Sequence, residues 1–233
     1  MTTDTVVWIA SMTKAITGAA AMQLVERGKL SLERPAAEVV PELGAARVLE
    51  GFDAAGKPRL RAPKRPMTLR HLLTHTAGFS YEIWSPAIAK FQEVTGTPGI
   101  TTCMNAALGT PLLFDPGDKW DYGINIDWAG KMVEAVSGQR LARYLLDTIL
   151  GPLGMKDTSF KLSASQRGRL SAIHGRGPDG ALAPIEFGLP EEPEFHMGGG
   201  GLYGTVPDYL QFCRMIVNGG THNGAQILQK STV

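Results

Sequence analysis

The sequence holds only two cysteines in 233 residues, Cys103 and Cys213, and neither belongs to a C-x-x-C pair or a zinc-like spacing. A disulfide framework and a cysteine metal cluster are therefore not expected, and free thiols are. Charge of one sign is also lacking. Lys plus Arg number 23 against 22 Asp plus Glu, a net charge of +1, so nothing attracts nucleic acid or an anionic membrane. Long apolar runs are missing too: the best candidate, Ala15 to Val25, is interrupted by Gly18 and Gln23 and runs on into acidic and basic residues. Neither a signal peptide nor a membrane span is read there. No internal repeat is found. The expected partner is a small molecule, the default compartment is the cytoplasm with any export signal upstream left open, and oligomeric state is left unassigned.

What is present suits one globular domain with a sizeable core, at 43% hydrophobic and 19% charged residues. In IASMTKAI, Ile9 to Ile16, a lysine stands three residues after a serine at the start of a helical pattern. Ile16, Ala20 and Leu24, with Ala19 and Gln23 one step round, repeat at helical spacing, and Gly28 supplies the stop. Ser11 can act as the N-cap, which leaves Lys14 unexplained, because a capping box wants Glu or Gln there and a helix N-terminus carries partial positive charge. Residues three apart share a helix face, so the Ser11 hydroxyl and the Lys14 amine can meet. The positive helix end and partial burial both favour a neutral amine, which could take the serine proton and make Ser11 a nucleophile.

Further along, Pro35 and Pro41 break the pattern, and GFDAAGKPRLRAPKRP to Pro66 suits a short hairpin or a long, variable loop. Thr68 opens a short helix with Leu69, Leu72 and Leu73 on one face and Gly78 at its close. His71 and His75 fall four apart, but Leu rather than Glu follows His71, and structural or surface roles are favoured over zinc. Ser80 to Pro111, aromatic and broken by Pro and Gly, reads as an irregular mobile cap. Its Tyr81 and Trp84 are candidate pocket residues, with Phe79 in ordinary core packing. Helices are expected over Asp127–Val136 and Leu141–Leu150, and loops over Gly151–Pro193. The four glycines after His196 lack both P-loop and dinucleotide spacing and read as a close backbone approach to a pocket. Thr205 and Asp208 would cap the helix that follows.

Several stretches in order, IASMTK with LVERGKLSL, MTLRHLLTHTAGF, PGDKWDYG, VEAVSG and LGPLGM followed by Asp157-Thr158, resemble the serine beta-lactamase-like hydrolases. That superfamily includes class C beta-lactamases, D-Ala-D-Ala peptidases and family VIII carboxylesterases, and S-x-x-K is one of its marks. The resemblance implies an α/β, beta-lactamase/transpeptidase-like fold, an antiparallel sheet flanked by helices plus a mostly helical region at about residues 40–160. It implies one domain over 1–233, with strands of the sheet expected beyond both ends. By the same resemblance Ser11 attacks a carbonyl, Lys14 assists, Tyr122 is the partner base and acid, and no cofactor is required.

Where lactamases and peptidases carry Asn two residues after that tyrosine, this chain has Ile124, and the amide comes one later, at Asn125. YGINIDWAG resembles the esterase branch instead. The expected activity is cleavage of small carboxylic esters through an acyl-enzyme on Ser11, with Asn125, Trp84 and Tyr81 contacting substrate. A beta-lactamase or peptidase, and an inactive or binding-only chain, are the alternatives. The family's third motif, a K-T-G, H-x-G or W-G-G element, is expected beyond Val233. The oxyanion donor it brings is worth roughly 3 to 4 kcal/mol.

Overall fold

A computed structural model describes residues Met1–Val233. The first helix, α1 (Thr13–Glu26), begins one residue later than a Ser11 cap would place it. Ser11 lies in a single 3₁₀ turn, Ala10–Met12, and its side chain caps nothing. Ala10, immediately before it, adopts φ 45°, and the serine hydroxyl is engaged by Lys14 instead. Helix α1 is buried nearly all round, with Ile16, Ala20 and Leu24 at most 1% exposed. Gln23 is buried among them because its amide donates to the carbonyls of Ile227 (2.9 Å) and Thr148 (3.2 Å).

Against α1 pack α4 (Asn125–Ser137), which starts two residues before the expected Asp127, and α5 (Leu141–Leu145). The helix expected over Leu141–Leu150 changes pitch halfway. Residues Leu146–Leu150 form a wider π turn, closed by the Gly151 amide on the Leu146 carbonyl (2.9 Å). Leu72, Met132, Leu141 and Leu145 join α2 (Leu69–Leu73), α4 and α5 into one core with α1. Helix α2 stops well short of Gly78, because His75 at φ 58° turns the chain out of the helix.

The segment expected to be an irregular cap contains a regular helix, α3 (Pro86–Thr95). Ser85 accepts from the Ile88 amide, Pro86 occupies the first turn, and Gly96 ends it, while Ile88 and Phe91 face the core. The remaining two helices are α6 (Ala164–Arg167) and α7 (Val206–Val217). Thr205 caps α7 by accepting from the Asp208 amide, but Asp208 does not return the bond. Its carboxylate accepts from the Asp157 amide (2.7 Å) and the Thr158 hydroxyl (3.0 Å).

Strand pairing is distributed over four two-stranded antiparallel pairs. Strand β1 (Val7–Trp8) pairs with β6 (Tyr203–Gly204), bringing the chain before Ser11 beside the end of the glycine run. Strands β2 (Val48–Phe52) and β3 (Pro58–Arg61) form a hairpin within the region 47–66 where a hairpin or long loop is expected. The region expected to be loops carries an exposed hairpin, β4 (Ile173–Arg176) with β5 (Leu182–Ile185), and β7 (Thr221–His222) pairs with β8 (Ala225–Gln226) near the end. Arg61 of β3 makes a two-pronged ion pair with Asp115 (2.8 and 2.9 Å), tying the hairpin to the turn that leads to Tyr122. No helix is long and apolar enough to cross a membrane.

The Tyr122 segment is pressed against the chain after α2. A Cβ on Gly123 would lie 2.4 Å from the Ser80 Cα and 2.6 Å from the Phe79 carbonyl oxygen, so only glycine fits without backbone movement. Gly123→Ala should therefore lower unfolding stability by about 1–3 kcal/mol in urea titrations. Gly18→Ala, inside α1 with nothing within 4 Å of the new carbon, should raise it by about 0.5–1 kcal/mol.

Candidate active site

Ser11 and Lys14 meet as the spacing predicts. The Lys14 Nζ donates to the Ser11 Oγ (3.2 Å), to the Tyr81 hydroxyl (3.2 Å) and to the Gly199 carbonyl (2.6 Å). Those three bonds use every proton of an ammonium. On losing one, the amine has a lone pair that can accept the Ser11 hydroxyl proton along the same contact. The amine also sits over two aromatic rings, 4.6 Å from the centre of Tyr122 and 5.3 Å from that of Tyr81.

The two tyrosines differ in surroundings. Tyr81 is 5% exposed, and burial, with the Asp127 charge adding, pushes its hydroxyl pKa well above the usual tyrosine range, so it stays protonated. Tyr122 is half-buried, its ring edge-on to Tyr81 at 5.6 Å. In this geometry Tyr81 holds the lysine, a contact that the sequence reading, which made Tyr81 a substrate contact, had missed.

Asn125 is not brought to the pocket. It is fully buried, its Nδ2 in contact with His75 Nδ1 (3.0 Å) and the Phe79 carbonyl (3.5 Å). The amide thus works underneath the site: it steadies His75, whose ring packs on Tyr122 at 4.9 Å. His71 turns away to the start of α2, where its ring nitrogen accepts from the Thr68 amide (3.2 Å), so the two imidazoles do not share a helix face. Trp84 is 66% exposed and stands at the pocket wall.

Ser11, Tyr81, Tyr122 and Trp84 line a cavity of about 190 Å³, walled also by Trp8, Ile83, Ile100 and Met197 and floored by Gly199 and Gly200. Glu82 is its one carboxylate. A larger hollow of about 430 Å³ lies beside Leu43 and Pro66, but its cations are already engaged. Arg47 binds the carbonyls of residues 44–46, Lys64 pairs with Asp115, and Arg65 pairs with Asp118.

The floor explains the glycine run. Thr17 donates to the Gly198 carbonyl (2.8 Å), Trp8 Nε1 to that of Gly200 (2.6 Å), and the Leu202 amide to Thr13 Oγ1 (3.1 Å), so the run is laced to the first turns of α1. On its other side the Gly199 amide donates to the fully buried Asp127 carboxylate (2.8 Å). Neither the Asp127 link nor His75 was singled out as a site feature from the sequence. Their signal was the crowding of Gly and small polar residues around positions whose partners lie far away in the chain.

This fold, with a serine just before a buried helix and a lysine in its first turn facing a tyrosine pair, defines a protein of the serine beta-lactamase/transpeptidase class. The Beta-lactamase family profile matches residues 1–233 in full, and the chain belongs to that family. It is 36% identical over 246 residues to the acyltransferase mokF of Monascus pilosus, covering 100% of this chain and 57% of that protein. To the lovastatin esterase of Penicillium rubens it is 37% identical over 222 residues, covering 92% and 55%. A simvastatin synthase of Aspergillus terreus, the LovD6 mutant, superposes with a TM-score of 0.86 at 34% identity, over 100% of this chain and 56% of that one. The hydrolase EstCE1 shares the fold at TM-score 0.75 and 24% identity, over 100% of this chain and 63% of that one. The chain spans a little over half the length of the curated relatives it matches.

His75 is a direct probe of the layer below the site. Burial first, and the Lys14 charge second, bring its imidazole down to about 4 from an ordinary 6.5. The ring should remain neutral as pH falls from 6.5 towards 4, with an NMR titration midpoint near the lower value. Below 6.5 the unfolded chain binds this proton more readily than the folded one, so this group's contribution to stability declines through that window. A midpoint near 6.5 would mean that the ring is not packed under Tyr122 as described.

Proposed function

We propose that the protein is a serine hydrolase or acyltransferase that cleaves small carboxylic esters through an acyl-enzyme on Ser11. The observation that carries this reading is the 3.2 Å contact between the Lys14 Nζ and the Ser11 Oγ at an apolar, aromatic cavity. The named activities of the relatives, acyltransferase and esterase, support the same chemistry.

The reaction runs in two halves. The Ser11 oxygen bonds to the ester carbonyl carbon as its proton passes to the Lys14 and Tyr122 pair, and the carbonyl electron pair moves onto oxygen. Collapse breaks the bond to the alcohol oxygen, which leaves with that proton, and Ser11 holds the acyl group. Water or a second alcohol then attacks the acyl carbon and restores the serine. The cavity has room for about six water volumes and presents no unengaged cation, so it suits a short, neutral, apolar acyl chain.

A beta-lactam or peptide substrate is disfavoured here. The amide that such a site would offer belongs to Asn125, and that side chain is occupied by His75 and Phe79. A chromogenic cephalosporin should accordingly be turned over far more slowly than p-nitrophenyl butyrate, and comparable turnover would reverse the ranking.

Ser11→Ala should cut p-nitrophenyl ester hydrolysis by at least about 10³-fold. Lys14→Arg should cut it by at least about 10²-fold, since arginine keeps the charge but cannot take a proton. Tyr122→Phe should lose about 10²-fold or more, while Tyr81→Phe, which removes an anchor and not a proton carrier, should lose less. Near-parental turnover in Lys14→Arg would remove the base role.

A further inference from the structure

Asp127 has no use in the reaction as written, yet it is the most completely buried carboxylate near the site. Its side chain, on the first turn of α4, has no exposed surface. One oxygen, Oδ1, accepts from the Gly199 amide (2.8 Å), and the other, Oδ2, has no partner. Leaving a carboxylate oxygen unsatisfied in the interior is costly, and such a group persists only where something nearby compensates its charge.

The compensating cation is reached through the backbone of a single residue. The same Gly199 whose amide meets Asp127 offers its carbonyl to Lys14 Nζ at 2.6 Å. Side chain is excluded at that point, since a Cβ on Gly199 would lie 2.5 Å from Asp127 Oδ2. The titratable groups facing the carboxylate are Lys14 from α1, Tyr81 from the chain after α2, and Cys103. The last two are pushed up by burial, with the Asp127 charge adding to it, so both stay protonated and neutral. Lys14 is left as the cation whose charge acts on Asp127.

The geometry points to Asp127 as a positioning residue for Lys14: through the Gly199 backbone it holds the amine on the Ser11 hydroxyl and stabilises the ammonium formed when the serine proton is taken up. The inference rests on the serine-hydrolase reading for its kinetic consequence but not for the coupling between the two groups. During acylation the Ser11 O–H bond breaks and an N–H bond forms on Lys14, while Asp127 gains and loses nothing. Its negative charge, on a fully buried side chain joined to the amine through Gly199, favours the protonated product of that transfer. Burial holds its own carboxyl up at about 6, with the Gly199 bond and the Lys14 charge opposing, so the carboxylate is ionised above that pH.

Two measurements test the inference. In the first, kcat and KM for p-nitrophenyl butyrate are followed against pH in the parent and in Asp127→Asn, which keeps the shape and an acceptor for the Gly199 amide. The account expects kcat to fall about 10-fold with KM within about 2-fold, and the ascending limb of the profile to move about one pH unit lower, because losing the negative charge lets the Lys14 and Tyr122 pair release its proton more readily. A limb that stays in place would overturn it, since a merely structural role leaves the profile unmoved.

The second measurement needs neither catalysis nor a folded Asp127 variant. Carbon-13 NMR of the Asp127 carboxyl in Lys14→Met should show its midpoint raised by about half a unit or more relative to the parent. An unchanged midpoint would overturn the coupling. Absence of ester turnover in the parent would instead count against the hydrolase reading and leave the NMR result to decide this one.

Discussion

The passage of the Gly198–Gly201 backbone between α1 and α4 is the constraint on which the site depends. Three hydrogen bonds, from Trp8, Lys14 and Thr17, fasten one edge of this segment beside the start of α1, Thr13 accepts from the Leu202 amide just past it, and Asp127 holds the other edge from α4. The segment can lie that close only because it carries no side chains. Once it is in place, the position of the lysine amine follows, since its shortest bond is to the carbonyl of Gly199, a residue whose amide is itself held by Asp127. The serine then needs only to be turned toward that amine.

Turning it carries a cost in backbone energy. Ala10, immediately before Ser11, sits at φ 45°, and His75, under Tyr122, at φ 58°. Non-glycine residues held there cost on the order of 1–3 kcal/mol each and persist where packing over-determines them. Both strained residues lie beside a side chain that lines the cavity, and both are surrounded by well-fixed neighbours. Ile9 is buried and bonded through its amide to the Leu202 carbonyl (3.0 Å), and His75 is clasped between Asn125 and Tyr122. Ser11 follows the first of these residues and Tyr122 packs on the second, and both side chains line the cavity.

Local periodicity and caps made much of the fold legible. The spacing of Ile16, Ala20 and Leu24, the Thr68 cap, the hairpin before Pro66 and the glycine after α4 each act within a few residues, and each has its counterpart in the structure. The start of α1 differs by one residue because a serine before a helix has two uses, capping it or meeting a side chain one turn on, and here it meets Lys14. Helix α3 was hidden by aromatic and proline-rich surroundings, although Ser85-Pro86 and Gly96 mark its ends. In the site, Ser11 and Lys14 could be paired from a spacing of three. The Tyr81 bond to Lys14, the Gly199 bridge and the burial of Asn125 join positions 46 to 185 residues apart, and no local pattern encodes such contacts.

The central claim is that the proton relay at Lys14 makes the Ser11 oxygen the atom that carries the acyl group. The most direct measurement is rapid mixing with excess p-nitrophenyl butyrate, acid quench, and mass analysis of the intact chain and its proteolytic peptides. The account predicts one butyryl group, on the peptide that contains Ser11, in the parent protein, and none at that residue when Lys14 is arginine. Ester turnover with the acyl group on another residue, or equal labelling of Ser11 in both proteins, would contradict it.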